Sequence, residues 1–225
     1  MVCCTICFER EKNRYFYVIF LLLFLGDYMG QYFTNDKLPS KLVLTECFVL
    51  GHKFLFYTDN GVFSKDGLDF GSRLLLETIP LDEVGGKVLD MGCGYGVFGI
   101  ILNKITSCST DMVDVNLRAI HLAERNIREN HCSNIRVFES NTYENIHSKY
   151  NSIITNPPIR AGKKVVYDMV LNAKDYLEDG GCLFLVIRKE QGAKSLIVDL
   201  KKVYTVDILT KKKGFYIIKC KFSLT

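Results

Sequence analysis

This chain does without several features, and each absence narrows its class. It has no apolar run long enough to cross a bilayer as a helix, which takes about 20 residues. The conspicuous run from Tyr15 to Leu25 follows Arg10, Lys12 and Arg14 in the manner of a signal peptide. It then ends at Gly26-Asp27 with no small-residue cleavage motif after it. The nine cysteines are odd in number and lack the paired spacing of a disulfide framework or zinc ribbon. Cys4-Thr-Ile-Cys7 is a lone pair with no second pair and is assigned no role. Such cysteine usage fits a reducing compartment, so a cytoplasmic location without stable membrane association is expected. Charge of one sign is also lacking: 29 basic residues against 25 acidic give +4, which neither demands nor excludes an anionic partner. Proline is scarce, at four residues, and two of the four stand side by side at 157 and 158.

What is present reads as one folded domain with an appendage. Residues 1–28 are expected to be an N-terminal extension that the functional protein, beginning at Met29, does not need. Residues 29–60 hold a predicted β-hairpin turning at Gly51-His52, which makes His52 a turn residue. Residues 61–225 form the main domain. Within it, short apolar runs at Lys87–Met91, Thr110–Val115, Asn134–Phe138, Ser152–Asn156 and Cys182–Ile187 suit buried parallel strands. Helical spacing lies between most of them, as in Val166, Met169, Val170 and Ala173. Two further strands, Val203–Leu209 and Phe215–Phe222, flank the loop Thr210-Lys-Lys-Lys-Gly214. The pattern predicts an α/β, Rossmann-like fold: a mostly parallel seven-stranded sheet closing in an antiparallel hairpin, with ligands beyond the carboxyl ends of the strands.

The first chemical motif is Asp90-Met-Gly-Cys-Gly-Tyr-Gly96, a strand running into three glycines and then a helix. Gly92, Gly94 and Gly96 let the backbone turn tightly and approach a ligand closely. A dinucleotide fingerprint would place a pyrophosphate here, and Asp90 would repel it. S-adenosylmethionine has no phosphate and carries an α-amino group that wants a nearby anion, so the sulfonium cofactor is expected. Asp114 ends the next strand, where a carboxylate can accept from both ribose hydroxyls. A competing role as helix N-cap suits Asn116 better.

The second motif is Asn156-Pro157-Pro158-Ile159 at the end of the fourth strand. Two prolines cannot continue a ladder, and they hold the chain in a fixed turn. An exocyclic base nitrogen is a poor nucleophile because its lone pair is delocalised into the ring. Acceptors for both amino hydrogens, the Asn156 side-chain oxygen and the Pro157 carbonyl, would let that nitrogen pyramidalise toward a methyl group. The transfer itself is an in-line displacement governed mostly by orientation, and it needs no metal. Arg160, Lys163 and Lys164 follow the turn directly and suit phosphates beside a flipped-out base. The alternative for them is ordinary solvation at a helix start.

Together these residues resemble the small-methyltransferase-domain family, close to bacterial guanine-N2 methyltransferases of small-subunit ribosomal RNA. The likeness runs from about Met29 to Phe222. It is carried by Gly61-Val-Phe-Ser-Lys65, Asp69-Phe-Gly-Ser-Arg73, the glycine motif, Asp114-Val-Asn116, Asn156-Pro-Pro-Ile-Arg-Ala-Gly-Lys-Lys164 and Lys212-Lys-Gly-Phe-Tyr-Ile217. The resemblance implies that Asp90 and the glycines hold the methionine portion of the cofactor, Asp114 its ribose, and Asn156 to Ile159 the target base. Asn156 is thereby placed beside the cofactor as well as the base. The implied partner is ribosomal RNA or the small ribosomal subunit.

One departure stands out. Where the family usually has an Asp for the adenine amino group, Phe138-Glu-Ser-Asn141 offers Asn141, which accepts a hydrogen bond without charge assistance. Two other functions stay open. One is methylation of another planar nitrogen, a protein glutamine or adenine N6, against which Ile159 counts because it lacks an aromatic face after the prolines. The other is a non-catalytic RNA-binding assembly factor.

Overall fold

The computed structural model describes residues 39–62, 64 and 67–223. The expected extension over residues 1–28, the start at Met29 and the Cys4/Cys7 pair lie outside the described residues, as do Phe63 and Lys65 of the Gly61 stretch.

The chain opens with a hairpin, β1 (Val43–Val49) and β2 (His52–Thr58), paired antiparallel from Val43 opposite Thr58 to Val49 opposite His52. Its turn is Leu50-Gly51, both at positive φ (52° and 78°), the two-residue geometry that matches strand twist. His52 is therefore the first residue of β2 and not part of the turn, a correction of one position. α1 (Phe70–Thr78) follows, capped by the Asp69 carboxylate, which accepts from the N–H groups of Gly71 and Ser72.

Strand and helix then alternate: β3 (Lys87–Met91), α2 (Val97–Thr106), β4 (Ser109–Asp114), α3 (Leu117–Glu129), β5 (Ile135–Glu139), β6 (Tyr150–Thr155), α4 (Lys163–Leu171), β7 (Leu177–Arg188), α5 (Ala193–Leu200), β8 (Thr205–Lys212) and β9 (Phe215–Lys221). The seven strands after the hairpin form one sheet in the order β5-β4-β3-β6-β7-β9-β8. β3 to β7 are parallel, and β9 runs antiparallel between β7 and β8. The final hairpin is longer than expected, because β8 continues through Lys211 and Lys212. Its turn is only Lys213-Gly214, again both at positive φ. Cross-strand pairing of Lys211 with Tyr216 and Lys212 with Phe215 overrides the polar reading of the lysine run.

Parallel strands buried on both faces explain the continuous apolar runs. Val88 belongs to a cluster with Leu75, Ile100, Ile101 and Leu122, under α1, α2 and α3. Its neighbour Leu89 belongs to a second cluster with Met169, Val170, Leu196 and Leu200, under α4 and α5. The order of strands reverses between β3 and β6, and a crevice outside their carboxyl ends is the expected consequence.

The hairpin is no loose appendage. Asn126 of α3, fully buried, accepts from Tyr57 N–H at 2.7 Å and donates to the carbonyls of Tyr57 at 3.0 Å and Tyr95 at 2.9 Å. Asn130 repeats the exchange with Leu55, at 3.1 and 2.7 Å. Phe56 meets the Tyr95 ring edge-on at 5.6 Å, so the hairpin and the glycine loop share one core.

Candidate active site

A cavity of about 860 Å³ opens where the sheet order predicts it. Two walls face each other across it: the loops after β3, β4 and β5, and the turn after β6 with parts of α1, β7 and β9.

The first wall is built by backbone. Gly92 and Cys93 both donate to the Val113 carbonyl at 2.9 Å, which locks the glycine loop against β4. Gly94 N–H donates to Asp114 Oδ2 at 2.8 Å, and Asn116 N–H to Asp114 Oδ1 at 2.9 Å. Gly94 lines the cavity with φ 55° and open space where a Cβ would stand. Any side chain there would enter the cavity. Asn116 caps α3, accepting from the N–H groups of Arg118 and Ala119, so Asp114 is not the cap. Burial pushes the Asp114 carboxyl above its usual range, and the N–H groups of Asn116 and Gly94 pull against that rise. Asn141 lines the same wall beside Ser140 and Thr142.

Asp90 and Gly96 are placed differently from the expectation. Neither lines the cavity. Asp90 is fully buried behind the loop; its Oδ2 accepts from Gly99 N–H at 2.8 Å, and its Oδ1 has no hydrogen-bond partner among the described residues. Burial raises its pKa to about 7, the Gly99 N–H opposing and the charge of Asp114 adding to the rise. Asp90 thus stands behind the glycine loop and not on the cavity surface. Gly96 turns the loop into α2 at φ 95°, with Ile100 close to where a Cβ would sit.

On the second wall the structure brings together Asn156, Pro157, Pro158, Ile159 and Arg160. β6 delivers them, tied to β3 by Thr155 Oγ1 donating to the Met91 carbonyl at 2.8 Å. The turn closes as Ala161 and Gly162 N–H groups bond the carbonyls of Pro158 and Ile159. The Asn156 amide is fixed by a residue that sequence reasoning missed. Its Nδ2 donates to Ser72 Oγ at 3.0 Å, 84 positions away. Ser72 is buried at the start of α1 and held by the Asp69 cap. With Nδ2 engaged, Oδ1 is the end of the amide left to accept. The only signal for Ser72 in the sequence was its place in the Asp69-Phe-Gly-Ser-Arg73 stretch, which carried resemblance without a role. Lys163 and Lys164 do not line the cavity: both are exposed at the start of α4, and Lys163 lies 4.7 Å over the Tyr167 ring. The cavity is also lined by Arg188, Lys213, Phe70 and Phe215; the last three lie in stretches that carried the resemblance without a role, and none was assigned to the site.

No group of three or more metal-ligating side chains occurs among the described residues, and no helix among them is long and apolar enough to cross a membrane.

Comparison with known proteins agrees with this geometry. The family model for the methyltransferase small domain matches residues 53–219. The chain belongs to that family. It is 44% identical over 199 residues to the uncharacterized protein YbxB of Bacillus subtilis, covering 86% of this chain and 99% of that protein. It is 34% identical over 165 residues to ribosomal RNA small subunit methyltransferase C of Psychromonas ingrahamii. That match covers 71% of this chain and 46% of the relative, so the chain spans about half the length of such methyltransferases. Among solved structures it is similar to a T. thermophilus 16S rRNA N2 guanine methyltransferase in complex with AdoMet and guanosine. The TM-score is 0.73 at 25% identity, over 83% of this chain and 52% of that one.

Proposed function

We propose that the chain transfers a methyl group from S-adenosylmethionine to the exocyclic N2 of a guanine in small-subunit ribosomal RNA. The residues on the glycine-loop wall fit that cofactor. Gly92 and Gly94 offer close backbone, and Asp114 offers carboxylate oxygens at the wall. Asp90 holds a buried carboxylate oxygen without a partner, which a cation nearby would stabilise. Bound there, the cofactor supplies an electrophilic methyl group on a sulfonium. Asp114 takes the ribose hydroxyls, with both its oxygens already aligned by backbone N–H groups. Asn141 takes the adenine amino group without charge assistance.

The observation that carries the reading is the Asn156 amide, turned by Ser72 so that its oxygen is the free end. An amino hydrogen of the target base donates to that oxygen, and the lone pair of the nitrogen is released from the ring. Pro157 and Pro158 hold the acceptor rigid, so little reorganisation is left for the moment of transfer. Ile159 supplies an apolar but non-aromatic floor. The similarity to small-subunit rRNA methyltransferases, and to a structure whose partner is guanosine, supports guanine over a protein glutamine.

The test is incubation with labelled cofactor and undermethylated small ribosomal subunits, followed by nucleoside mass spectrometry. Label in N2-methylguanosine is the expected result. Label only in protein overturns the RNA target, and cofactor binding without any transfer points to an assembly factor.

A further inference from the structure

The sequence directed attention to the lysines after the Asn156 turn, yet besides Arg160 the cations lining the cavity come from the end of the adjoining strand β7 and from the β8–β9 turn. Arg188 ends β7, and its guanidinium lies 4.6 Å over the ring of Phe215, the first residue of β9. Phe215 meets Phe70 at 5.4 Å with the rings tilted by 53°, and Lys213 stands 4.9 Å over Phe70. All four line the same cavity as Asn156. The arrangement is a row of cation, ring, ring and cation along the mouth, built by residues 70, 188, 213 and 215.

Two local features hold the row in place. The tight Lys213-Gly214 turn brings Lys213 back beside the strand end, and Gly71 leaves room for the Phe215 ring, which a Cβ there would meet at 2.7 Å. The charges are not consumed inside the protein. Arg188 pairs with Glu190 at 3.1 Å, but both side chains are about half exposed, and such a pair is worth little and yields readily to a phosphate. A guanidinium lying on an aromatic ring also presents a flat outer face on which a base can stack, while its N–H groups reach a phosphate. A small neutral substrate would have no use for the two cations, and a small anion none for the two aromatic faces. Single-stranded nucleic acid is recognised by this combination of aromatic faces and cations.

We propose that Arg188, Phe215, Phe70 and Lys213 form a shelf that binds the RNA nucleotide adjoining the target base, stacking its base on the Arg188–Phe215 tier and pairing its phosphates with Arg188 and Lys213. This rests on the RNA methyltransferase reading above and extends it to how the strand is held. The shelf, with Arg160 on the neighbouring turn, takes the role that the sequence suggested for Lys163 and Lys164.

The test uses the full chain and a fluorescein-labelled single-stranded RNA on the order of twelve nucleotides, uridines around one guanine, read by anisotropy across a salt series. Replacing two phosphate contacts in Arg188→Gln/Lys213→Gln should lower the slope of log affinity against log salt by about 1.4. Phe215→Leu should weaken binding roughly 5- to 100-fold with little change of slope. Cofactor affinity by calorimetry should stay at the wild-type value in both, which also shows that they fold. Lys163→Gln/Lys164→Gln should leave the slope within experimental scatter of wild type. The shelf is overturned if the Arg188/Lys213 pair leaves affinity and slope unchanged while Lys163/Lys164 lowers them. It is overturned too if wild type binds no oligonucleotide; methyl transfer to subunits in that case keeps the functional reading standing without the shelf. Absence of both binding and transfer removes both.

Discussion

The two walls of the cavity are made by opposite means. The glycine-loop wall is closed by backbone hydrogen bonds and carries the Asp114 carboxylate, with Asp90 buried behind it and one Asp90 oxygen without a hydrogen-bond partner among the described residues. The facing wall is made by side chains from four separate segments, and it is aromatic and cationic at its rim. A cationic cofactor and an anionic polymer would thus meet between a negative wall and a positive one. The difference implies that binding and chemistry can be damaged separately, and variants on each wall put that to the test.

The largest effect is expected from Asn156→Ala. Removing the acceptor should lower the methyl-transfer rate about a hundred- to a thousand-fold, while cofactor affinity measured by calorimetry stays close to wild type. A parallel loss of affinity would mean that the walls are not separable. Ser72→Ala comes next, because it leaves the Asn156 amide free to rotate. One lost hydrogen bond of about 1 kcal/mol corresponds to a fall in kcat of roughly five- to tenfold, with KM for RNA unchanged and Ser72→Thr restoring much of the rate. A change confined to KM would show that Ser72 serves packing alone.

Asp90 gives a pH signature to the other wall. Its folded pKa, raised by burial to about 7, lies above the unfolded value of 3.8, so the native state holds the proton more tightly. The associated stability is fully present below the unfolded pKa and is lost as pH rises through about 7. The thermal midpoint of the cofactor-free protein should therefore fall between about pH 4 and pH 7, and Asp90→Asn should flatten that fall. A cationic ligand favours the ionised form, so affinity for S-adenosylmethionine should rise a few-fold as pH rises through about 7. Neutral S-adenosylhomocysteine should show less of this rise. A flat profile for both ligands would remove Asp90 from cofactor electrostatics. The smallest effect is expected from Asn141→Asp, which should tighten cofactor binding about three- to fivefold by adding charge to one hydrogen bond. No change would mean that residue 141 does not touch adenine.

The contrast between the walls also governs what could be read in the sequence. Backbone walls are local: Gly92, Gly94 and Asp114 sit at strand ends that buried apolar runs made visible, and the cavity collects them with Asn141 and the Asn156 turn. Asp90 was visible for the same reason, but its depth behind the loop depends on packing against Gly99 and Met112, which no local pattern records. The side-chain wall depends on contacts between distant segments. Ser72 reaches Asn156 across 84 positions, and Phe70 meets Phe215 only because β9 inserts beside β7. Lys211 and Lys212 read as loop because charge masked their strand pairing. Lys163 and Lys164 follow the Asn156 turn in sequence, but the helix they start carries them outside the cavity lining.

The Asn126 side chain ties together events of very different range. The hairpin closes on itself through a two-residue turn, which costs little chain entropy. Its docking through Tyr57 to Asn126 and Leu55 to Asn130 must close loops of 69 and 75 positions. Because the same Asn126 amide also holds the Tyr95 carbonyl, the glycine loop gains that last hydrogen bond only once α3 is in place. The hairpin and the glycine loop are thus fastened to one buried side chain of α3, so loosening either contact is felt by the other.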